Sequence, residues 1–217
     1  MKKLHFQSEK LILFSDRGSM DFPYRSICVF CGSADGLDEV YYEAAKKMGK
    51  ELASRGIRLV YGAGRTGLMG VLAQSVLENG GEVTGIAPKG LESPQLIRTT
   101  GLTNLEIVDD IQVRKARMID LADAFISLPG GYGTADELFE VLTWSQIGLH
   151  RKPMAILNTN GYFDSLLAWI NRAFKDAFIY DEHLQLFLSD SEPASLLDKL
   201  AKYQFPENIG RWLVRDN

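Results

Sequence analysis

Apolar residues recur along the chain in short runs at nearly regular intervals. "SICVFC" (26–31), "IRLVYG" (57–62), "EVTGIAP" (82–88), "LEIVDD" (105–110), "DAFISLP" (123–129) and "KPMAILN" (152–158) read as strands. Between them, stretches at about 38–55, 68–79, 111–122, 134–149 and 162–176 carry apolar residues at helical spacing, and a last helix is predicted at 192–203. Apolar strands alternating with amphipathic helices predict a parallel sheet covered on both faces. Right-handed crossovers make it a doubly wound, Rossmann-like α/β fold. No repeat, low-complexity segment or linker interrupts the alternation. One domain is expected over 26–205, between an N-terminal arm (1–25) and a tail (206–217) without a clear pattern.

The 217 residues suffice for one sizeable core. A formal net charge of −4 argues against a general nucleic-acid binder, which needs a basic surface to displace counterions. No apolar run approaches membrane-spanning length, so neither nucleic acid nor membrane is expected as a partner. The arm opens with two lysines and a short apolar patch. His5, Gln7, Ser8, Glu9 and Lys10 break that patch and no small-residue cleavage site follows, which favours a cytoplasmic protein. Cys28 and Cys31 are spaced C-x-x-C, but they lie in a β-branched and aromatic run, where residues three apart point to opposite faces. They read as two reduced thiols rather than a redox pair at a helix start. His5, His150 and His183 are scattered, without metal-ligand spacing. No nucleophile elbow is present, and no metal or other cofactor is expected.

The candidate chemistry lies in the loops. In an open parallel sheet, ligands bind beyond the carboxyl ends of the strands. Three runs end there in small-residue loops: "CGSADG", with Gly32 and Ser33, then "YGAGRTGLMG", then "LPGGYGT". Gly62, Gly64 and Gly67 in the second have the G-x-G-x-x-G spacing of dinucleotide folds. The strand that follows ends "TGIAPKG", without the acidic residue that would hold a ribose, and no Walker lysine is present. Three roles stay open for this loop: dinucleotide binding, a tight turn between helix and sheet, or phosphate and ribose contact helped by Thr66 and Arg65.

"LPGGYGTADELFE", from Leu128 to Glu140, is more specific. Gly130 and Gly131 let backbone amides approach a ligand around Tyr132. Gly133 and Thr134 then open a helix whose free amides and dipole favour an anion. Thr134 with Glu137 also fits a capping box, but a cap needs no double glycine, and the loop reads as a phosphate cradle. Glu137, expected in the first helical turn, would be stabilised in its ionised form. That suits a base, or an anion beside developing positive charge, better than a general acid. "VRKARM" supplies cations at Arg114, Lys115 and Arg117. Arg114 sits early in a helix, where a cation opposes the dipole, which is intelligible if it meets a phosphate or a carboxylate.

Together, "CVFCGS", "LVYGAGRTGLMG", "RKARM" and "LPGGYGTADELFEVLTWSQIGLHRKP" resemble the Lonely Guy family of cytokinin-activating phosphoribohydrolases. The likeness runs from about Ser26 to Leu200, and the P-G-G-x-G-T-x-x-E motif is complete from Pro129 to Glu137. The resemblance implies hydrolysis of the N-glycosidic bond of an adenine-type nucleoside 5′-monophosphate, AMP or an N6-substituted form, to free base and ribose 5-phosphate. It implies Arg114 and Glu137 as the catalytic pair, and nucleotide contacts from Lys115, from the loop Gly131 to Thr134, and from Thr143. It also implies a homodimer, to which "VLTWSQIGLH" is apolar enough to contribute. A non-catalytic nucleotide-binding module and an NAD-dependent enzyme are the alternatives. Some members carry a lysine decarboxylase label, yet no lysine here is singled out for a Schiff base. The chain departs from the family pattern at Ala63, the middle glycine of the usual Y-G-G-G, and at Ile111 and Gln112, in place of Met-His. It departs again at Leu96, where a substrate-facing glutamate is usual.

Overall fold

A computed structural model describes residues 22–210; most of the predicted arm and tail lie outside the described residues. The chain runs β1 (Ser26–Phe30), α1 (Glu39–Ser54), β2 (Arg58–Tyr61), α2 (Gly67–Glu78), β3 (Val83–Pro88), β4 (Asn104–Val108), α3 (Ile111–Leu121) and β5 (Ala124–Ser127). It continues α4 (Tyr132–Gln146), β6 (Met154–Leu157), a 3-10 turn (Thr159–Gly161), α5 (Asp164–Lys175), α6 (Asp181–Leu184), β7 (Phe187–Asp190) and α7 (Pro193–Ala201).

The strands form one parallel sheet in the order β4-β3-β2-β1-β5-β6-β7. Every residue of β1, β3, β5 and β6 is buried, as a sheet covered on both faces requires. On one face Ile27, Val29, Leu59 and Ile126 pack with Met48 and Leu52 of α1, Leu68 and Leu72 of α2, and Leu196 and Leu200 of α7. On the other, Cys28, Phe30, Val60 and Phe125 pack with Met118 of α3 and Val141 of α4. Alternation along each strand thus feeds two cores, the doubly wound α/β arrangement. Both thiols are buried and free, and burial pushes both up from the ordinary cysteine range.

The six predicted strands and six predicted helices are present, with ends within about two residues except at the C-terminal end of α4. Three further elements lie where no element is predicted: the 3-10 turn, α6 and β7. β7 is a four-residue edge strand, half-buried along its length, and so carries neither a fully apolar run nor a clear alternation.

From β1 the chain winds outward through β2, β3 and β4, then returns to the other side of β1 as β5. The direction of winding therefore switches between β1 and β5, and a crevice opens at such a point beyond the strand ends. The loops after β1 and β5 meet there, the Gly32 amide donating to the Pro129 carbonyl at 3.0 Å.

Candidate active site

Three elements build the centre of the site. Asp110 caps α3, its Oδ1 accepting from the amides of Gln112 and Val113 at 2.8 and 2.9 Å. This fixes the turn that carries Arg114 and Lys115. The Arg114 guanidinium crosses the ends of the strands: Nε donates to the Ile86 carbonyl at 3.2 Å, and Nη1 donates to Glu137 Oε1 at 3.1 Å. Both side chains are nearly buried, 12% and 13% exposed, so the pair interacts in a medium far less screening than water. Beside it Lys115 is buried and bridges Asp136 Oδ2 at 3.0 Å and Glu140 Oε1 at 3.1 Å, clamping α4 onto α3.

Two expectations about α4 are corrected. The helix begins at Tyr132 with Gly131 as its N-cap, so Thr134 is not the cap and makes no capping box with Glu137. Thr134 is instead buried in the first turn, and a Cβ on Gly130 would overlap its Oγ1 and stand 2.8 Å from the Gly32 amide nitrogen. Glu137 consequently falls in the second turn, where the dipole is weak. Burial pushes its pKa up, against the opposing pull of Arg114. The carboxyl is therefore a stronger proton acceptor than one at a helix start.

Two helices point their N-termini at the crevice, and they differ. At α2 the position is taken: Asp35 Oδ1 accepts from the Gly67 amide at 2.9 Å, and Thr66 Oγ1 donates to the Ser33 carbonyl at 2.7 Å. Gly67 has φ +57°, and a Cβ there would lie 2.5 Å from the Ala34 carbonyl oxygen, so the loops after β1 and β2 are welded together. At α4 no side chain caps the helix and no acidic residue occupies the first turn. A Cβ on Gly131 or Gly133 would meet nothing within 4 Å, and neither glycine has a positive φ. Neither the backbone nor the packing demands glycine at these two positions. The Tyr132 side chain is 98% exposed at the same helix start.

Not every candidate converges on the pair. Gly64 forms an isolated antiparallel bridge with Ile97, which brings the loop after β3 against the G-x-G-x-x-G turn. In that loop the Leu96 carbonyl accepts from the Arg65 amide at 3.1 Å while its side chain is half exposed. Ala63 has φ +58°, the conformation a glycine adopts without strain. Thr143 lies six residues beyond Glu137, about 9 Å along α4. It lines a 240 Å³ groove with Phe139, Trp169 and Phe178. Arg117 pairs with Glu106 and Asp120, away from the pair. Tyr162 was not singled out by sequence: its hydroxyl donates to the Gly130 carbonyl at 2.6 Å. The spacing of the glycines placed the crevice, but nothing local marks a tyrosine in the turn after β6.

Lys115 is the one lysine buried among the described residues. Burial lowers its pKa, but the bonds to Asp136 and Glu140 outweigh burial and leave it above the ordinary lysine value. A Schiff-base lysine needs the opposite shift.

A family model described as "possible lysine decarboxylase" matches residues 69–200. The chain is 45% identical over 180 residues to the probable cytokinin riboside 5′-monophosphate phosphoribohydrolase LOGL3 of Oryza sativa subsp. japonica, covering 83% of this chain and 85% of that protein. It is 46% identical over 180 residues to cytokinin riboside 5′-monophosphate phosphoribohydrolase LOG3 of Arabidopsis thaliana, covering 83% of each. Among solved structures, the molybdenum cofactor binding protein of Rippkaea orientalis superposes with a TM-score of 0.62 over 85% of this chain and 98% of its own. At 19% identity that likeness speaks for the fold alone. With relatives this similar over more than four-fifths of its length, the chain belongs to the Lonely Guy family of cytokinin riboside 5′-monophosphate phosphoribohydrolases.

Proposed function

We propose that the domain over 26–205 hydrolyses the N-glycosidic bond of adenosine 5′-monophosphate, plain or N6-substituted, to free base and ribose 5-phosphate. The observation that carries this reading is the buried Arg114–Glu137 pair beside the uncapped start of α4. Two glycines there keep open a space that the fold itself does not use. First-turn amides and the helix dipole favour a phosphate in that space. Phosphate held at one end fixes the ribose at the other, so binding energy remote from the bond serves the reaction.

The C1′–N9 bond breaks with its electron pair leaving on the base, and positive charge builds on the ribose ring. The Glu137 carboxylate stabilises that charge and orients the attacking water. Its raised pKa suits it to take the proton the water loses as the new C1′–O bond forms. Arg114 holds Glu137 in place and adds positive charge beside the phosphate. The departing base takes up a proton from solvent and Glu137 returns its own to solvent, so the net change is one water added across the C1′–N9 bond.

We further infer a homodimer in the cytoplasm. Trp169 and Phe178 are 55% and 81% exposed beside the groove that Thr143 lines, an apolar face suited to a second copy. Two free buried thiols suit a reducing compartment. Among the described residues no helix is long and apolar enough to cross a membrane.

Matched incubations with AMP and with adenosine test the reading. Adenine released from AMP far faster than from adenosine supports it. Comparable rates would remove the phosphate cradle, and tight AMP binding without release of base would favour a non-catalytic binding module.

A further inference from the structure

We propose that Gly62 is a positioning residue for the reaction: its missing side chain is the slot through which Arg114 reaches Glu137. Gly62 is buried at the end of β2. A Cβ built there would overlap Arg114 Nη2 outright and stand 2.7 Å from Arg114 Cζ. The same guanidinium spends Nε on the Ile86 carbonyl and Nη1 on Glu137. It is therefore fixed on three sides: a β3 carbonyl below, the carboxylate ahead, and the bare Gly62 backbone against Nη2. Long side chains are seldom so confined. A shift or turn of the guanidinium plane would weaken both bonds at once.

The backbone does not otherwise call for glycine at this position. Gly62 is absent from the positive-φ residues, so alanine is conformationally permitted. The other neighbour within reach is the flexible end of Met69, 3.1 Å from the added carbon. The collision is thus almost entirely with Arg114.

This gives the G-x-G-x-x-G spacing a meaning unlike that in a dinucleotide fold. There the glycines serve a tight turn, the approach of pyrophosphate, and helix packing. Here each faces the protein itself: Gly62 the guanidinium, Gly64 the Met69 side chain, and Gly67 the backbone of Ser33 and Ala34. The dinucleotide fingerprint and this loop share a spacing without sharing a ligand.

The inference rests on the proposed hydrolysis only for its kinetic consequence; the geometry stands apart from it. Gly62→Ala should displace the guanidinium and weaken its bond to Glu137. The charged and titratable groups that act on Glu137 are Arg114 and Lys115 from α3, Asp136 from its own helix, Cys28 from β1 and Cys31 just beyond β1. Arg114 is the nearest cation, so moving it leaves burial less opposed.

The experiment is a double-mutant cycle of Gly62→Ala and Arg114→Ala. It is read by turnover of AMP across pH and by ¹³C NMR titration of the Glu137 carboxyl. The expected result is that Gly62→Ala lowers turnover about a hundredfold and moves the Glu137 titration to higher pH. In the Arg114→Ala background it should change neither. If Gly62→Ala shifts the titration as much without Arg114 as with it, or shifts nothing in the native background, the proposal is overturned. Should Gly62→Ala fail to fold alone, the double variant should fold, because the colliding group is gone; a double variant that also fails overturns the proposal. The NMR arm remains informative if the native protein releases no base, so failure of the hydrolytic reading is told apart from failure of this one.

Discussion

The Tyr162 hydroxyl donates to the Gly130 carbonyl at 2.6 Å and ties the turn after β6 to the glycine turn that opens α4. The turn is itself well braced. Asn158 Oδ1 accepts from the Phe163 amide at 2.7 Å, and its Nδ2 donates to Asp164 at 2.8 Å. Asn160 and Gly161 take left-handed conformations that swing Tyr162 toward the crevice. Tyr162 also stacks edge-on with Tyr41 of α1.

Tyr162→Phe keeps that ring and removes only the bond. A hydrogen bond of this kind contributes about 1 kcal/mol. The expected effect is a rise in KM for AMP of roughly fivefold with a smaller change in kcat, because the tyrosine steadies the glycine turn proposed to hold the phosphate and not the reacting bond. Steady-state kinetics check this; an unchanged KM would mean that the turn holds its shape unaided.

Lys115 binds two carboxylates of α4 while buried, so its loss strands Glu140, which is 18% exposed, without its cation. Breaking one partner out of a buried ion pair costs about 3 kcal/mol or more. The low end applies here because Asp136 is largely exposed. Lys115→Met should lower Tm by roughly 6–12 °C. A thermal melt that moves by less than 2 °C would show that the clamp contributes little.

Asp190, at the end of β7, is one carboxylate through which acid weakens the fold. Lys199, the Ser195 hydroxyl and the Glu192 amide all bind its carboxylate and hold it well below the usual range. A group whose folded pKa is depressed contributes stability that is fully present above its unfolded value, about 3.9. That contribution is lost as pH falls through and below it. Asp190→Asn should therefore lower Tm at pH 7, and the gap from the native protein should narrow toward pH 3. A gap that stays constant over that range would contradict this origin.

Much of the fold was legible because its central strands are buried on both faces and its helices are amphipathic, so the two periods alternate cleanly. β7 was not, since an edge strand of four half-buried residues has neither signature. The start of α4 was placed two residues late, at 134, because the glycine-rich run before it carries no helical pattern. In the structure the Thr134 hydroxyl lies where a Cβ of Gly130 would be, beneath the turn rather than capping it. Glu137 could be recognised from its motif, but its raised pKa could not, because that follows from its burial in the assembled fold. The meeting of Gly62 with Arg114 joins residues 52 positions apart, 62 and 114, and Tyr162 reaches Gly130 from a turn after another strand. Such contacts are properties of the assembled sheet edge, with no local pattern to announce them.

The central claim is that Glu137, held by Arg114, carries the cleavage. Glu137 has a raised folded pKa, so its contribution to stability is full below its unfolded value and is lost as pH rises through the folded one. Gln in place of Glu137 removes the cost of burying the ionised carboxylate but leaves the nearly buried Arg114 guanidinium without its counterion, so a loss of Tm is expected and activity is compared only below the melt of each protein. The most direct measurement is adenine released from AMP by the native protein and by Glu137→Gln, each shown to be folded by its melt. The account predicts steady release by the native protein and a loss on the order of 10²–10³ in the variant. Near-normal release by folded Glu137→Gln would contradict it.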